Sequence, residues 1–365
     1  MTHKAFLKCI CLFVFLLIGL TACTAKGETP TVAPAAATTE EAPLQTTSLV
    51  QGKIPVVFSH DGALDDVVTA VYLLRHPDVD VKGIVISYGE QHPSISAANW
   101  AVFVHEVMGR PDIPIAIGVE DPLDPAGNAF PDSWRDSADQ FWFVDLPPSA
   151  GELSDLSGPD LIASVIDAYP GEVFVLVTGA QTDLALALQN DPSLEEKIFV
   201  VALMGGAVFT GGNLYEGWEG HPNKVSEFNI WVDPLAASQV LETELRIRMI
   251  PLDATGDVVV DSAFTSRLEG LDAPGVDIAA GLWEDEFEGF GVDSVYVWDL
   301  LAGVSITHPE FFEWEYDAID VVTQSGDTHG QTIATGMGSE TTWIAAAADA
   351  EAILDHVYSI FAGEE

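Results

Sequence analysis

The chain has 365 residues, with 57 acidic side chains against 13 Lys and Arg, and a formal net charge of −44 at pH 7. Such a charge repels nucleic-acid backbones and anionic bilayer surfaces, which excludes both as partners of the folded part. The only cysteines, Cys9, Cys11 and Cys23, sit at the N-terminus, so the remainder has no disulfide framework and no thiol chemistry.

The chain opens with Lys4 and Lys8, an apolar run from Ile10 to Leu20, and then Thr21, Ala22 and Cys23. A basic start, a short hydrophobic segment and small residues predict a secretory signal over residues 1–22 rather than a transmembrane helix. Leu20-Thr21-Ala22-Cys23 resembles a bacterial lipobox, which implies lipidation of Cys23 and an extracytoplasmic protein anchored to a bacterial membrane, periplasmic or on the outer surface. Residues 23–50 are rich in Thr, Ala, Pro and Glu without periodicity and read as a disordered tether. Residues 51–365 form the folded domain.

IPVVFSH reads as a buried strand, and ALDDVVTAVYLLRH as a helix with acids at its start, where the helix dipole favours them. VDVKGIVISYG is a second strand, ISAANWAVFVHEVMG an amphipathic helix, and Pro114 to Gly118 a short strand. Residues 119–150 form a long irregular segment containing Trp134, Phe141, Trp142 and Phe143. DLIASVIDAYP, QTDLALALQN and DPLAASQVLETE read as helices alternating with the strands EVFVLVTGA, IFVVALMGGA and LRIRMIPLDAT. SVYVWDLLAGVSITHP follows a helical pattern, WEYDAIDVVTQ and HGQTIATGM a hairpin, and WIAAAADAEAILDHVYSIFA a closing helix. The alternation predicts an α/β fold with an open, mostly parallel sheet flanked by helices, Rossmann-like in its core.

The stretch VVFSHDGALDD carries the chemistry. A buried strand ends in three carboxylates, Asp61, Asp65 and Asp66, within six residues. Burying unpartnered carboxylates together is costly, and a hard divalent cation with oxygen ligands resolves that cost. Strand ends are also where open α/β sheets place their sites. The loop lacks the glycine spacing that cradles a pyrophosphate.

These segments together resemble the inosine-uridine-preferring nucleoside hydrolase family. DGALDD matches its opening acidic motif, VTGAQTDLA its PTGPLTNIA, and MGGA, GN and SEFNIWVDP a later block. WDLLAG matches its late HDPLA or WDPLA segment, and the order runs from about residue 54 to 302. DGALDD and the Trp-Asp pair resemble the purine-preferring branch. The resemblance implies a bound Ca²⁺ held by Asp61, Asp66, the Thr178 carbonyl and Asp299. It implies Asp61 as general base, and Asp65, Glu90, Met204, Asn213, Glu227 and Asn229 around the ribose. Trp298 replaces a histidine of much of the family; it cannot donate a proton but can stack on a purine. Trp134 is a candidate for the opposite face, and Trp218 another.

Three departures stand out. Ser59 occupies the position of the family's first Asp, Glu90 that of an Asn or Asp, and Asp183 that of an Asn. His60 and His92 lie close by without an assigned role, and His329, where Arg is frequent, reads as structural. The implied activity is hydrolysis of ribonucleosides, purine ones preferred, to free base and ribose, outside the cytoplasm, by a homodimer or homotetramer. The alternatives are hydrolysis of another ribosyl compound, or a lipoprotein that captures nucleosides without cleaving them.

Overall fold

The computed structural model describes residues 52–218 and 220–364; the signal segment, Cys23 and the tether lie outside them. The strands are β1 (Ile54–His60), β2 (Val79–Ile86), β3 (Ile115–Ile117), β4 (Phe174–Val177), β5 (Val200–Met204), β6 (Ile247–Ile250), β7 (Val259–Asp261), β8 (Ser294–Tyr296), β9 (Phe312–Tyr316), β10 (Ile319–Val321), β11 (Thr332–Ala334) and β12 (Thr342–Ala348). The helices are α1 (Leu64–Arg75), α2 (Pro93–Val102), α3 (Asp132–Asp139), α4 (Gly158–Ala168), α5 (Thr182–Asn190), α6 (Leu214–Gly217), α7 (Phe228–Val232), α8 (Pro234–Leu241), α9 (Leu252–Thr255), α10 (Ser262–Leu268), α11 (Val276–Phe290), α12 (Trp298–Thr307) and α13 (Ala350–Ala362).

Eight strands make the central sheet in the order β3-β2-β1-β4-β5-β6-β12-β9. All its pairings are parallel except β12 with β9. Every residue of β1, β4 and β5 is buried, because parallel strands with helices on both faces need apolar side chains on both. One core packs α1, α2 and α10 to α13 against the sheet, and the other packs α4, α5 and α8. The chain runs outward from β1 through β2 to β3, then returns to place β4 on the other side of β1. The carboxyl ends of β1 and β4 therefore flank the topological switch point, where such sheets hold ligands.

The α/β class and the mostly parallel sheet agree with the expectation, and three local readings change. WIAAAADAEAILDHVYSIFA is not one helix: Thr342–Ala348 is a strand and only Ala350–Ala362 is helical. The alanine run favours helix locally, but β12 is the strand that bridges β6 and β9, and that pairing overrides propensity. WEYDAIDVVTQ divides likewise, with β9 in the central sheet and β10 paired to β11 as the hairpin. The long segment 119–150 contains α3 and a tight turn in which Phe141, Trp142 and Phe143 all have φ between 51° and 60°.

Candidate active site

The first loop is built around Asp66. It sits in the first turn of α1, and its Oδ2 accepts from the Gly62 and Ala63 amides at 2.8 and 2.9 Å. Its Oδ1 accepts from the Thr178 hydroxyl at 2.5 Å, tying the end of β1 to the end of β4. The indole of Trp142 donates to the Gly62 carbonyl at 2.9 Å, so the left-handed aromatic turn leans directly on this loop.

Asp61 lies between two glycines. A Cβ added at Gly89, whose φ is +155°, or at Gly179 would overlap its side chain. Its Oδ2 accepts from the Glu90 amide at 3.2 Å. Asp65 accepts from the Asp299 amide at 3.0 Å, which brings the start of α12 to the start of α1. Asp61, Asp65, Asp66 and Asp299 are each less than a tenth exposed.

Their charges act on one another. Burial raises Asp61 to about 7, with Asp65 and Glu227 adding repulsion and the Glu90 amide and Asp66 partly offsetting it. Burial, then their carboxylate neighbours, lifts Asp66 and Asp299 well above the usual carboxylate range. Hard oxygen donors, crowded and desolvated, fit a hard divalent cation better than any neutral ligand.

The residues expected around the ribose gather near the ends of β4 and β5. Glu227 caps α7, accepting from the Asn229 and Ile230 amides at 2.8 and 3.1 Å and from the Gly206 amide at 2.9 Å. Three backbone donors thus fix the direction of this carboxylate. Asn229 donates to the Thr178 carbonyl at 3.2 Å and to Met204, so the predicted cation-binding carbonyl and the predicted ribose-side methionine share one amide. Asn213 accepts from the Phe228 amide at 3.2 Å.

The three candidate tryptophans separate. Trp134, which falls on α3 rather than in a loop, packs with Phe130 and Phe228, and Trp218 joins the same cluster beside Tyr88 and Trp231. Trp298 stands apart at the start of α12, next to Asp299 and 5.7 Å from the Tyr296 ring.

Of the histidines, His60 is fully buried beneath the first loop, with rings of Trp100 and Phe58 at 3.9 and 4.8 Å. Burial lowers it to about 3, so it is neutral, and neither ring nitrogen has a hydrogen-bond partner. His92 pairs with Asp139 at 2.7 Å, and His329 lies against Asn128 and Asp124. Asp183 is buried behind β2 and accepts from the Val119 amide at 3.1 Å.

Glu286, half-buried on α11, lies near enough to Asp65 and Glu90 for their charges to interact, a neighbour that sequence reasoning missed. Burial and then Asp65 push its carboxyl up to about 8, and it acts in turn on Glu90, itself raised by burial and by Asp61, Asp65 and Asp66. A signal was present. Ala279, Leu282 and Trp283 mark the buried stripe of α11, and Glu286 follows at helical spacing on its half-buried edge. An acid on an apolar stripe points to a partner across the interface.

The family model described as inosine-uridine preferring nucleoside hydrolase matches residues 56–355. The pyrimidine-specific ribonucleoside hydrolase RihA of Salmonella newport is 30% identical over 289 residues, covering 77% of this chain and 88% of that protein. Uridine nucleosidase 1 of Arabidopsis thaliana is 26% identical, covering 74% and 78%. Among solved structures, the fold is similar to the purine-preferring ribonucleoside hydrolase of Gardnerella vaginalis, with a TM-score of 0.76, 22% identity, and coverage of 85% of this chain and 98% of that one.

Proposed function

Because this chain belongs to the inosine-uridine preferring nucleoside hydrolase family, and is thus a glycosidase of ribonucleosides, we propose that it prefers purine ribonucleosides and works with Ca²⁺. The observation that carries this reading is the buried junction of Asp61, Asp66, Thr178 and Asp299 at the sheet's switch point, with Trp298 next to it. In this reading Asp61, Asp66, Asp299 and the Thr178 carbonyl hold the cation. Bound Ca²⁺ supplies positive charge that anchors the ribose hydroxyls and acidifies a water.

Asp61 takes the proton of the attacking water. The water oxygen bonds to the anomeric carbon while the carbon–nitrogen bond breaks, and the base leaves with the bonding electron pair and takes a proton from solvent, to which Asp61 returns its own. Asp65 and Glu90 face the ribose hydroxyls, Asn213, Glu227 and Asn229 bind its other edge, and Met204 packs beneath it. Glu227, held by its three amides, favours the positive character that develops on the sugar. Trp298 stacks on the purine, and Trp134 borders the opposite wall.

A second reading, pyrimidine preference, is favoured by the name of the 30%-identical Salmonella relative. Incubating the purified protein with inosine, guanosine, adenosine and uridine, with Ca²⁺ and after chelation, separates the two. Calcium-dependent release of purine base and ribose, lost in Asp61→Asn, is expected. Faster release of uracil would overturn the purine preference, and binding of all four without release would overturn hydrolysis.

The same reading places the protein outside the cytoplasm, tethered by lipid at Cys23 through residues 23–50, with residues 51–365 as a catalytic domain that associates as a dimer or tetramer. Among the described residues no helix is long and apolar enough to cross a membrane. Membrane fractionation of a Cys23→Ser variant tests the anchor, with release into the soluble fraction expected.

A further inference from the structure

Two helices that frame the acidic site meet again at their other ends. α1 begins with Asp65 and Asp66 and is followed by His76; α12 begins with Trp298 and Asp299 and is followed by His308. His356 on α13 packs between them, with ring centroids 5.5 Å from His76 and 4.2 Å from His308. Among the described residues, one nitrogen from each of these three histidines lies within 4.8 Å of the other two. At about 1.5 Å per helical residue, the cluster stands roughly 15 Å or more from the acidic junction.

We propose that His76, His308 and His356 form a second metal site, which binds one Zn²⁺ with water in the fourth position.

Four observations support it. First, the donor set suits this ion: three imidazoles and an open position make a tetrahedral zinc centre, whereas the acidic junction suits a hard cation. Second, the His76 Nε2 is buried without a hydrogen-bond partner, in a side chain only 3% exposed. Third, the Glu310 carboxylate lies 2.9 Å from His308 Nδ1, the arrangement that directs the other nitrogen of a histidine toward a metal. The Tyr72 hydroxyl similarly contacts His356 Nε2 at 2.9 Å. Fourth, His76 and His308 are the C-caps of α1 and α12, so two negative helix ends face the cluster and favour a cation.

Protons compete weakly for the His76 ring. Burial first, then the neighbouring His356 and His308 and the Lys53 charge, lowers His76 to about 3 and leaves its ring neutral. His76 Nδ1 accepts from the Asp78 amide at 3.1 Å. Coordination through Nε2 moves the ring proton to Nδ1 and gives up that bond to the exposed residue Asp78. Tetrahedral zinc requires nitrogens ~3.3 Å apart, so the rings draw together by at most about 1.5 Å. The His308 side chain, 29% exposed, has the freedom to do so. Zinc here staples the far ends of the two helices whose near ends carry Asp66 and Asp299, and clamps α13 to both.

The test uses untagged, chelator-stripped protein with excess Ca²⁺ present, titrated with Co²⁺ and then Zn²⁺. Co²⁺ in a tetrahedral imidazole site absorbs visible light strongly, and six-coordinate Co²⁺ on oxygens only weakly. One equivalent giving the strong band is expected, displaced by one equivalent of Zn²⁺. His308→Gln and His356→Ala should each lower Zn²⁺ affinity at least tenfold and abolish the band. His308 is partly exposed, so H308Q keeps the test decisive if H356A does not fold. Absence of the band in the unmodified protein, or its survival in H308Q, would overturn the site.

Discussion

The Asp65 carboxylate accepts a 3.0 Å hydrogen bond from the Asp299 amide across 234 positions of chain. This bond fixes the start of α12 against the start of α1, and with it the approach of the Asp299 carboxylate to Asp66. In the proposed reading Asp65 is thereby a positioning residue for the cation site as well as a candidate ribose ligand. Asp65→Ala removes the acceptor, and the Ca²⁺ concentration for half-maximal activity is expected to rise at least tenfold, in line with the loss of supporting contacts at other metal sites. Asp65→Asn keeps an acceptor oxygen and should restore most of the Ca²⁺ dependence, read from activity against free Ca²⁺. Equal Ca²⁺ curves for the two variants would remove the positioning role.

Gly179 tests the tightness of the cavity around Asp61. Its φ lies outside the left-handed range, so Gly179→Ala acts by crowding Asp61, both its side chain and its backbone nitrogen. Turnover is expected to fall at least a hundredfold with the far-ultraviolet circular dichroism spectrum unchanged. Activity within a few-fold of the unmodified protein would show that Asp61 has room to move.

Trp298 is assigned to stacking rather than to proton transfer. Stacking of a base on an aromatic side chain is worth about 1–3 kcal/mol. Trp298→Ala should therefore lower kcat/KM for inosine by roughly 5- to 150-fold at that magnitude. Trp298→Phe should recover most of it, and the loss should be smaller for uridine. A pH profile unaltered by either change would agree with a residue that carries no proton.

Asp183 gives a stability prediction with a definite sign. Burial raises its carboxyl from 3.8 to about 7, and Oδ2 has no hydrogen-bond partner. Between these values the folded chain holds a proton that the unfolded chain has lost. Stability therefore falls as pH rises through this window, and the full cost is present above about 7. Asp183→Asn removes the charge at nearly constant shape. Its Tm should exceed that of the unmodified protein by several degrees at pH 8 and match it closely at pH 4, measured by calorimetry. A smaller advantage at pH 8 than at pH 4 would reverse the assigned sign.

The acidic loop was legible because its causes are local. Apolar runs mark buried strands, and carboxylates at the exit of one, Asp61, Asp65 and Asp66, point to a cation from local sequence alone. The ordered segments ending in SEFNIWVDP and WDLLAG extended that reading to Glu227, Asn229 and Asp299. Glu286 showed only as an acid at the edge of a buried helical stripe, with nothing to say which carboxylates it would meet.

The amino-acid sequence by itself determined the alternation of strands and helices, the acidic exit of β1 and the family, since each rests on periodicity or on contiguous motifs. Tertiary structure decided the rest. It made Thr342–Ala348 a strand, because the gap between β6 and β9 needed a partner more than an alanine run needed a helix. It joined Asp65 to Asp299, and it gathered His76, His308 and His356 from three helices. Such pairings depend on how helices pack over the sheet, and residues hundreds of positions apart carry no local pattern that announces them.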